Sequence, residues 1–363
     1  MKKSSLLAML SLFVAIVLIL AACGSNSSGG SGSGGTGTGS NSGASTPGSS
    51  GGAQNTSGQK ITIRFGHGSA ESNARHQAAL KFKQMVEERT NGQIVVEIFP
   101  NEQLGSEATM LQSVQSNIIE MTAGGSGIFA SYNPQISILD LPYAFESFEQ
   151  AWKVLDGDFG KKLVEPLIDQ KIRVLAYWEN GFRQITNNKG PIEKPEDLKG
   201  MKIRVPTIPY YVKTFEALGA NPTPIAFGEL FQALEQRIVD GQENPLTNIY
   251  NSKFYEVQKY LSMTNHLYGP LPLAISEDFW QTLSQEHQQI IQEAALEAAQ
   301  FHRQAIVEDD KRLREELEKE GMISNDVDIE PFKEATKSVW EEAEKEFGKE
   351  FVDEFRKALA DAK

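Results

Sequence analysis

Between residues 61 and 123 the chain alternates strand-like and helix-like patterns in a β-α-β-α-β order, and that order admits few folds. Residues 61–65 alternate apolar and polar side chains with period two. Gly66-His67-Gly68-Ser69 then turns into a helix whose apolar face carries Ala78, Phe82, Met85 and Val86, with Asn91-Gly92 as its stop. Residues 94–99 form a second strand ended by Pro100. Ser106 caps a helix bearing Leu111, Val114 and Ile118, and a third strand lies near 119–123. Strands joined by helices pair in parallel through right-handed crossovers, which predicts an α/β fold. Gly124-Gly125-Ser126-Gly127 follows the third strand without the Lys-Ser/Thr of a phosphate-binding loop. It is either a close-approach loop at a ligand crevice or a plain tight turn.

Further on, Ser147-Phe148-Glu149-Gln150 is a capping-box pattern opening a helix with Trp152 and Leu155. Residues 172–178 read as a strand followed by the turn Glu179-Asn180-Gly181, and Arg183 just beyond marks a first crossing between two lobes. Residues 271–275 recross. Residues 276–321 are mostly helical, with Ile290, Ile291, Ala294, Ala295, Ala298, Phe301 and His302 on one stripe. A helix of that length exceeds the ordinary globular range. A short extended piece near Met322-Ile323 and two amphipathic helices end the chain. The expected lobes are therefore discontinuous: 60–180 plus 270–309, and 181–269 plus 310–363.

The stretch 198–248 carries the chemistry. Met201, Ile203 and Val205 alternate with Lys202 and Arg204 as a short strand, and Pro206, which cannot donate to a ladder, stops it. Arg204 thus falls near a carboxyl end, where ligand crevices lie in open α/β sheets. Its fixed fork of donors suits a planar carboxylate, although an Arg in a short strand is also a common solvated edge residue. A helix from Gly228 carries Leu230, Phe231, Leu234 and Ile238. Pro245 biases Asn244 toward extended backbone on a loop beside a second strand end.

The formal charge of −13 argues against nucleic acid and an anionic membrane surface as partners. Residues 307–363 alone hold 11 basic and 19 acidic side chains, so the excess describes helix surfaces rather than a site. The five histidines show no metal-ligand spacing, and neither a nucleophile elbow nor a cofactor motif is present. His67, on the loop after the first strand, is a candidate ligand contact. Trp178 and Phe227 are aromatic enough to stack on a ligand, or to be core.

The N-terminus is of another kind. Met1-Lys2-Lys3 and the apolar run 6–20 form a secretory signal, residues 1–22. Its end, Leu20-Ala21-Ala22-Cys23, resembles a lipobox, with Cys23, the single cysteine, as the lipidated residue. The rest of 23–59 is almost wholly Gly, Ser, Thr and Asn. Such a linker reaches about 30–35 Å and would tether an extracytoplasmic body to the cell membrane.

Several ordered motifs are similar to those of the DctP family, the solute-binding proteins of tripartite ATP-independent periplasmic (TRAP) transporters. They are Asp197-Leu198-Lys199-Gly200-Met201-Lys202-Ile203-Arg204-Val205-Pro206, Val239-Asp240-Gly241-Gln242-Glu243-Asn244-Pro245 and Phe254-Tyr255-Glu256-Val257-Gln258-Lys259-Tyr260. Gly181-Phe182-Arg183-Gln184-Ile185-Thr186-Asn187 precedes them. The resemblance runs from residue 61 onward. It implies a two-lobed, periplasmic-binding-protein-like α/β fold with a ligand cleft between lobes and a long helix spanning both. It also implies a receptor without cofactor, not an enzyme, that captures an organic acid anion and delivers it to integral membrane permease subunits. Arg204 matches the family's carboxylate-binding arginine, Arg183 an assisting arginine, Asn244 a pocket asparagine and Phe227 an aromatic wall. Glu107 and the Gly125–Ser126 loop fall where other members place ligand-specific polar contacts. Sialic-acid binders usually carry Asn where Gly68 stands and Arg where Ala108 stands, which argues against sialic acid. Trp178-Glu179-Asn180-Gly181-Phe182-Arg183 looks more like binders of sugar acids such as uronates. A C4-dicarboxylate is the second choice; a ligand-sensing receptor for a signalling partner is the alternative role, and after it an extracytoplasmic enzyme on a similar scaffold, for which the sequence offers neither a nucleophile–base pair nor a metal motif.

Overall fold

The structure, a computed structural model, describes residues 60–363. The expected signal, Cys23 and the linker to residue 59 lie outside the described residues. β1 (Ile61–His67), α1 (Ala74–Arg89), β2 (Ile94–Phe99), α2 (Glu107–Gln115) and β3 (Met121–Ala123) follow in the order the alternation predicts. Asn73 caps α1 by accepting from the Arg75 N–H, and Ser106 caps α2 by accepting from the Thr109 N–H. Then come α3 (Phe148–Asp156), α4 (Asp158–Val164), β4 (Ile172–Asn187), β5 (Lys202–Val205), α5 (Pro209–Ala217) and β6 (Asn221–Pro224). α6 (Leu230–Glu235), β7 (Gly241–Pro245), α7 (Leu246–Asn251), β8 (Tyr260–Met263) and β9 (Tyr268–Ser276) lead to α8 (Glu277–Trp280). α9 (Gln285–Lys319), β10 (Ile323–Asp326), α10 (Glu330–Ala335), α11 (Lys337–Phe347) and α12 (Lys349–Asp361) complete the chain.

The strands lie in the order β2-β1-β3-β9-β4-β7-β5-β6, with β8 and β10 branching off β4. The architecture is a two-lobed mixed α/β fold, and β4 joins its halves. As far as Phe182 β4 pairs antiparallel with β9; from Arg183 it pairs with β7, and from Ile185 also with β8. The expected turn at Glu179-Asn180-Gly181 does not form. The strand continues through it with a register shift between Glu179 and Gly181, and Gly181 takes φ +107°. That bulge bends a single strand from one half into the other, and a positive φ there costs glycine little. Asn244, expected on a loop, stands inside β7.

Separate apolar cores lie under the two halves. Ile63, Phe65, Phe82, Trp178 and Ile291 pack in one, and Leu230, Leu234, Ile249, Leu313 and Leu317 in another. α9, 35 residues long, supplies side chains to both. Its stripe is narrower than expected, since Phe301 is 40% exposed and Ile290 only half-buried. Ile118 and Ile238 lie past the ends of α2 and α6 and are exposed; Arg237 at φ +57° turns the chain out of the latter helix. The segment 310–363 is not one piece of the second lobe. Val339, Val352, Phe355 and Leu359 of α11 and α12 pack with Phe145, Phe159 and Leu163, while Phe347 of α11 stacks on Tyr210 of α5. Among the described residues no helix is long and apolar enough to cross a membrane.

Candidate ligand-binding cleft

Arg204 sits one residue from the end of β5, which is hydrogen-bonded in parallel on both sides, to β7 and to β6. It is therefore an interior strand residue and 2% exposed, not a solvated edge cation. Its Nε and Nη2 both donate to the Ile225 carbonyl, at 2.9 and 2.6 Å, and its guanidinium carbon lies 5.9 Å from the centre of the Phe227 ring. Nη1 has no partner among the described residues, and Arg204 makes no ion pair among them. Burial lowers its pKa to about 10, against the favourable field of Glu243 and with the unfavourable field of Arg183.

Arg183 meets the opposite situation. Its Nε and Nη2 donate to the two Glu243 carboxylate oxygens, and Nη2 also donates to the Glu243 carbonyl at 2.9 Å and to Asn244 Oδ1 at 3.2 Å. The guanidinium also stacks 5.1 Å from the Tyr211 ring centre. Burial opposes its charge, yet Glu243 raises its pKa above the ordinary value. Burial likewise works against the Glu243 carboxylate, but Arg183 and hydrogen bonds from His266 and Arg183 hold its pKa below the usual range. His266 Nε2 lies 3.2 Å from Glu243 Oε2 and its Nδ1 2.8 Å from Thr264 Oγ1. Burial lowers the pKa of this imidazole against the hydrogen bond and field of Glu243; a carboxylate only accepts, so Nε2 carries the proton given to Glu243.

A third guanidinium completes the site. Arg75, 3% exposed, donates Nη1 to Glu107 Oε1 at 2.6 Å and Nη2 to Asn180 Oδ1 at 3.4 Å. Glu107 Oε2 accepts from the Gly125 N–H at 3.0 Å. Side-chain amides link these groups: Asn248 Nδ2 donates to Asn180 Oδ1 and Asn244 Oδ1, and Asn73 Nδ2 donates to Asn248 Oδ1 at 3.0 Å. Two adjoining cavities, each with about 50 Å³ of space for water, share Glu107, Arg204, Pro206, Ile208 and Phe227 in their walls. Arg75, Asn180, Arg183, Asn244 and Asn248 line the first. Glu102 lines the second, and its Oε2 accepts from the Gly228 N–H at 2.8 Å. A roomier cavity of about 650 Å³ near Lys189, Tyr255 and Lys259 is open to solvent; its ion pair, Lys189 with Asp240, is partly exposed.

The structure brings five expected residues, Arg204, Arg183, Asn244, Phe227 and Glu107, to one cleft. It leaves two out. His67 belongs to the end of β1 rather than a loop, is fully buried, and lies edge-on to Phe65. Its Nδ1 accepts from the Ser69 N–H at 3.2 Å, so Nε2 donates to His76 Nδ1 at 3.1 Å. Burial first, then Arg75 and His76, depress its pKa to about 2. His67 therefore supports the backbone under Ser69 instead of facing a ligand. Ser126 is also buried, with Oγ donating to Asp140 Oδ1 at 2.6 Å; its neighbour Gly125 is the cleft residue.

Arg75, Asn180, Asn248, Tyr211 and Glu243 went unread as site residues. Asn180 and Glu243 lie inside the quoted motifs, and Asn248 follows one by a single turn of helix, so a count of buried polar groups around those motifs would have found them. Arg75 has no such local mark. Among the described residues, no group of three or more His, Cys, Asp or Glu side chains is placed to hold a metal ion.

This arrangement, a buried guanidinium without an ion pair between two neutralised ones in an amide-lined cleft, suits an anion, and the described residues of the cleft hold no nucleophile–base pair. The sequence profile of bacterial extracellular solute-binding protein family 7, DctP, matches residues 65–346. The chain is 38% identical over 275 residues to the 2,3-diketo-L-gulonate-binding periplasmic protein YiaO of Escherichia coli K12, covering 76% of this chain and 84% of that protein. It is 33% identical to the C4-dicarboxylate-binding protein DctB of Bacillus subtilis, over 84% of this chain and 88% of that one. The structure superposes on the sugar acid binding protein DctPAm of Advenella mimigardefordensis, solved with galactonate, with a TM-score of 0.82, 35% identity, and 84% and 99% of the two chains covered. The chain belongs to the DctP family of TRAP-transporter solute-binding proteins, extracytoplasmic substrate receptors that are not enzymes.

Proposed function

We propose that this receptor captures a monocarboxylic sugar acid, an aldonate or uronate, and hands it to TRAP permease subunits. The carrying observation is the contrast between Arg204 and its neighbours. Arg204 alone among the three cleft arginines has no carboxylate in contact, whereas Arg183 and Arg75 are neutralised by Glu243 and Glu107. With Nε and one Nη2 hydrogen on the Ile225 carbonyl, the remaining Nη1–Nη2 edge can take one carboxylate in two parallel hydrogen bonds. The rest of the cleft offers Asn180, Asn244 and Asn248, amides that both donate and accept as hydroxyl groups require.

Each cavity holds only a few waters at roughly 10–15 Å³ apiece, so in this reading the halves part to admit a ligand and close over it. Asn73–Asn248 and Glu102–Gly228 are the contacts that closure re-forms. The leader and Cys23 support a diacyl anchor, whose two chains give stable membrane residence. The test is a thermal-shift screen with D-galactonate, D-galacturonate and succinate. Stabilisation by the sugar acids and little by succinate is expected; stabilisation by succinate alone contradicts the reading.

A further inference from the structure

The second positive pole of the cleft is occupied from within. Arg75 is held by Glu107 at 2.6 Å and leaves its Nε buried without a partner. The backbone is cut back to seat that carboxylate. A Cβ on Gly68 would stand 3.0 Å from Glu107 Oε1, one on Gly124 would stand 3.2 Å from Oε2, and one on Gly125 would stand 3.9 Å from Oε2. Any larger residue at the first two positions would crowd it. The Gly125 N–H adds a hydrogen bond to Oε2. The site for the Glu107 carboxylate is thus built by the loops that follow β1 and β3 together.

Resting on the sugar-acid reading, we infer that Glu107 is a built-in counter-anion that sets specificity: by occupying Arg75 it refuses a second ligand carboxylate and accepts a hydroxylated tail. A carboxylate only accepts hydrogen bonds. Arriving at Arg75 it would lie against Glu107, with Glu102 bordering the adjoining cavity, and like charges repel strongly where water is excluded. A ligand hydroxyl avoids that conflict, since it donates to Glu107 while accepting from Arg75. Without Glu107, Arg75 becomes a second free cation and the cleft becomes complementary to a diacid.

Matched acids that differ at one end test this. Calorimetry on the purified full chain compares galactonate with galactarate and gluconate with glucarate, each pair exchanging a terminal CH2OH for a carboxylate. Wild type should prefer at least one aldonate over its aldarate by tenfold or more. Glu107→Ala should lower that ratio at least tenfold, and adding Arg75→Met should remove the gained aldarate binding. Should Glu107→Ala fail to fold, Glu107→Gln keeps an acceptor for Arg75, removes the charge, and should shift the ratio in the same direction. An unchanged ratio in the folded variant, or a gain that survives Arg75→Met, overturns the role of Glu107 while leaving the sugar-acid reading intact. Wild type that binds neither aldonate overturns the role of Glu107, and if galacturonate also fails to bind, the sugar-acid reading falls with it.

Discussion

Arg183 and Glu243 face each other diagonally across the β4–β7 ladder, and the guanidinium spends its Nε and Nη2 on the Glu243 carboxylate and carbonyl. Both side chains are buried. This pairing neutralises Arg183 within the cleft and leaves Arg204 as the cleft arginine without a carboxylate partner among the described residues. Removing one partner of a buried pair strands the other charge at a cost of about 3–5 kcal/mol. Glu243→Ala should lose stability of that order in urea unfolding, and Glu243→Gln less, because the amide still accepts from Arg183. A loss no larger than that of a surface substitution would show that the pair is not confined as described.

Closure has its own signature. A Cβ on Gly228 would stand 2.6 Å from Glu102 Oε2, inside any normal contact. Gly228→Ala should therefore push the Glu102 carboxylate off the Gly228 N–H and, by removing one contact of the closed state, weaken ligand binding and enlarge the ligand-saturated radius of gyration in small-angle scattering. Wild-type affinity and radius would dissociate this contact from closure.

The sequence made part of this legible. Period-two patterning and helix faces placed β1 to β3, and the length of the apolar stripe foretold α9, because both signals are local. The ordered motifs led to Arg204, Arg183 and Asn244, which the fold brings to one cavity. What failed depended on long-range pairing. The apolar alternation stops at Phe65, but the ladders with β2 and β3 extend to Gly66 and His67, which buries an imidazole that reads as a loop residue. Asn180-Gly181 has the composition of a turn, yet β9 pairing draws it into a bulge. Arg75 sits in an unremarkable helix, and its burial follows from Glu107, 32 positions away.

Buried titrating groups pull the pH dependence of stability in opposite directions, and Asp140 can be read out against the rest. Burial raises the Asp140 carboxyl from 3.8 to about 7, against the Ser126 hydrogen bond and the field of Arg183, and burial takes Glu179 to about 7 as well. Between its ordinary and raised values each of these carboxyls binds more proton in the folded state than in the unfolded chain, so each by itself lowers stability with rising pH by on the order of 1 kcal/mol per pH unit. Burial lowers the pKa of His67, His266 and His302 and so favours folding as pH rises toward 6.5, so the signature of Asp140 is a difference: between pH 4 and 7 the melting temperature of Asp140→Asn should gain on that of wild type as pH rises. A difference that stays constant with pH would mean that Asp140 does not take up this proton.

The anchor is tested at its attachment point. Cys23→Ala should leave the precursor unprocessed or release the protein from the membrane fraction, read by fractionation and mass spectrometry. Unchanged, processed and membrane-bound protein would rule out lipidation at Cys23.

The most direct test is titration calorimetry of Arg204→Ala and Arg204→Lys with a sugar acid that wild type binds, folding being checked by circular dichroism. Truncating one side of a buried, hydrogen-bonded charge pair costs about 2–5 kcal/mol, and about 1.4 kcal/mol is tenfold in affinity. Arg204→Ala should therefore bind weaker by well over an order of magnitude. Arg204→Lys should fall between, since it keeps charge but not the fork. Near-wild-type affinity in folded Arg204→Ala would contradict the assignment of Arg204 as the carboxylate anchor.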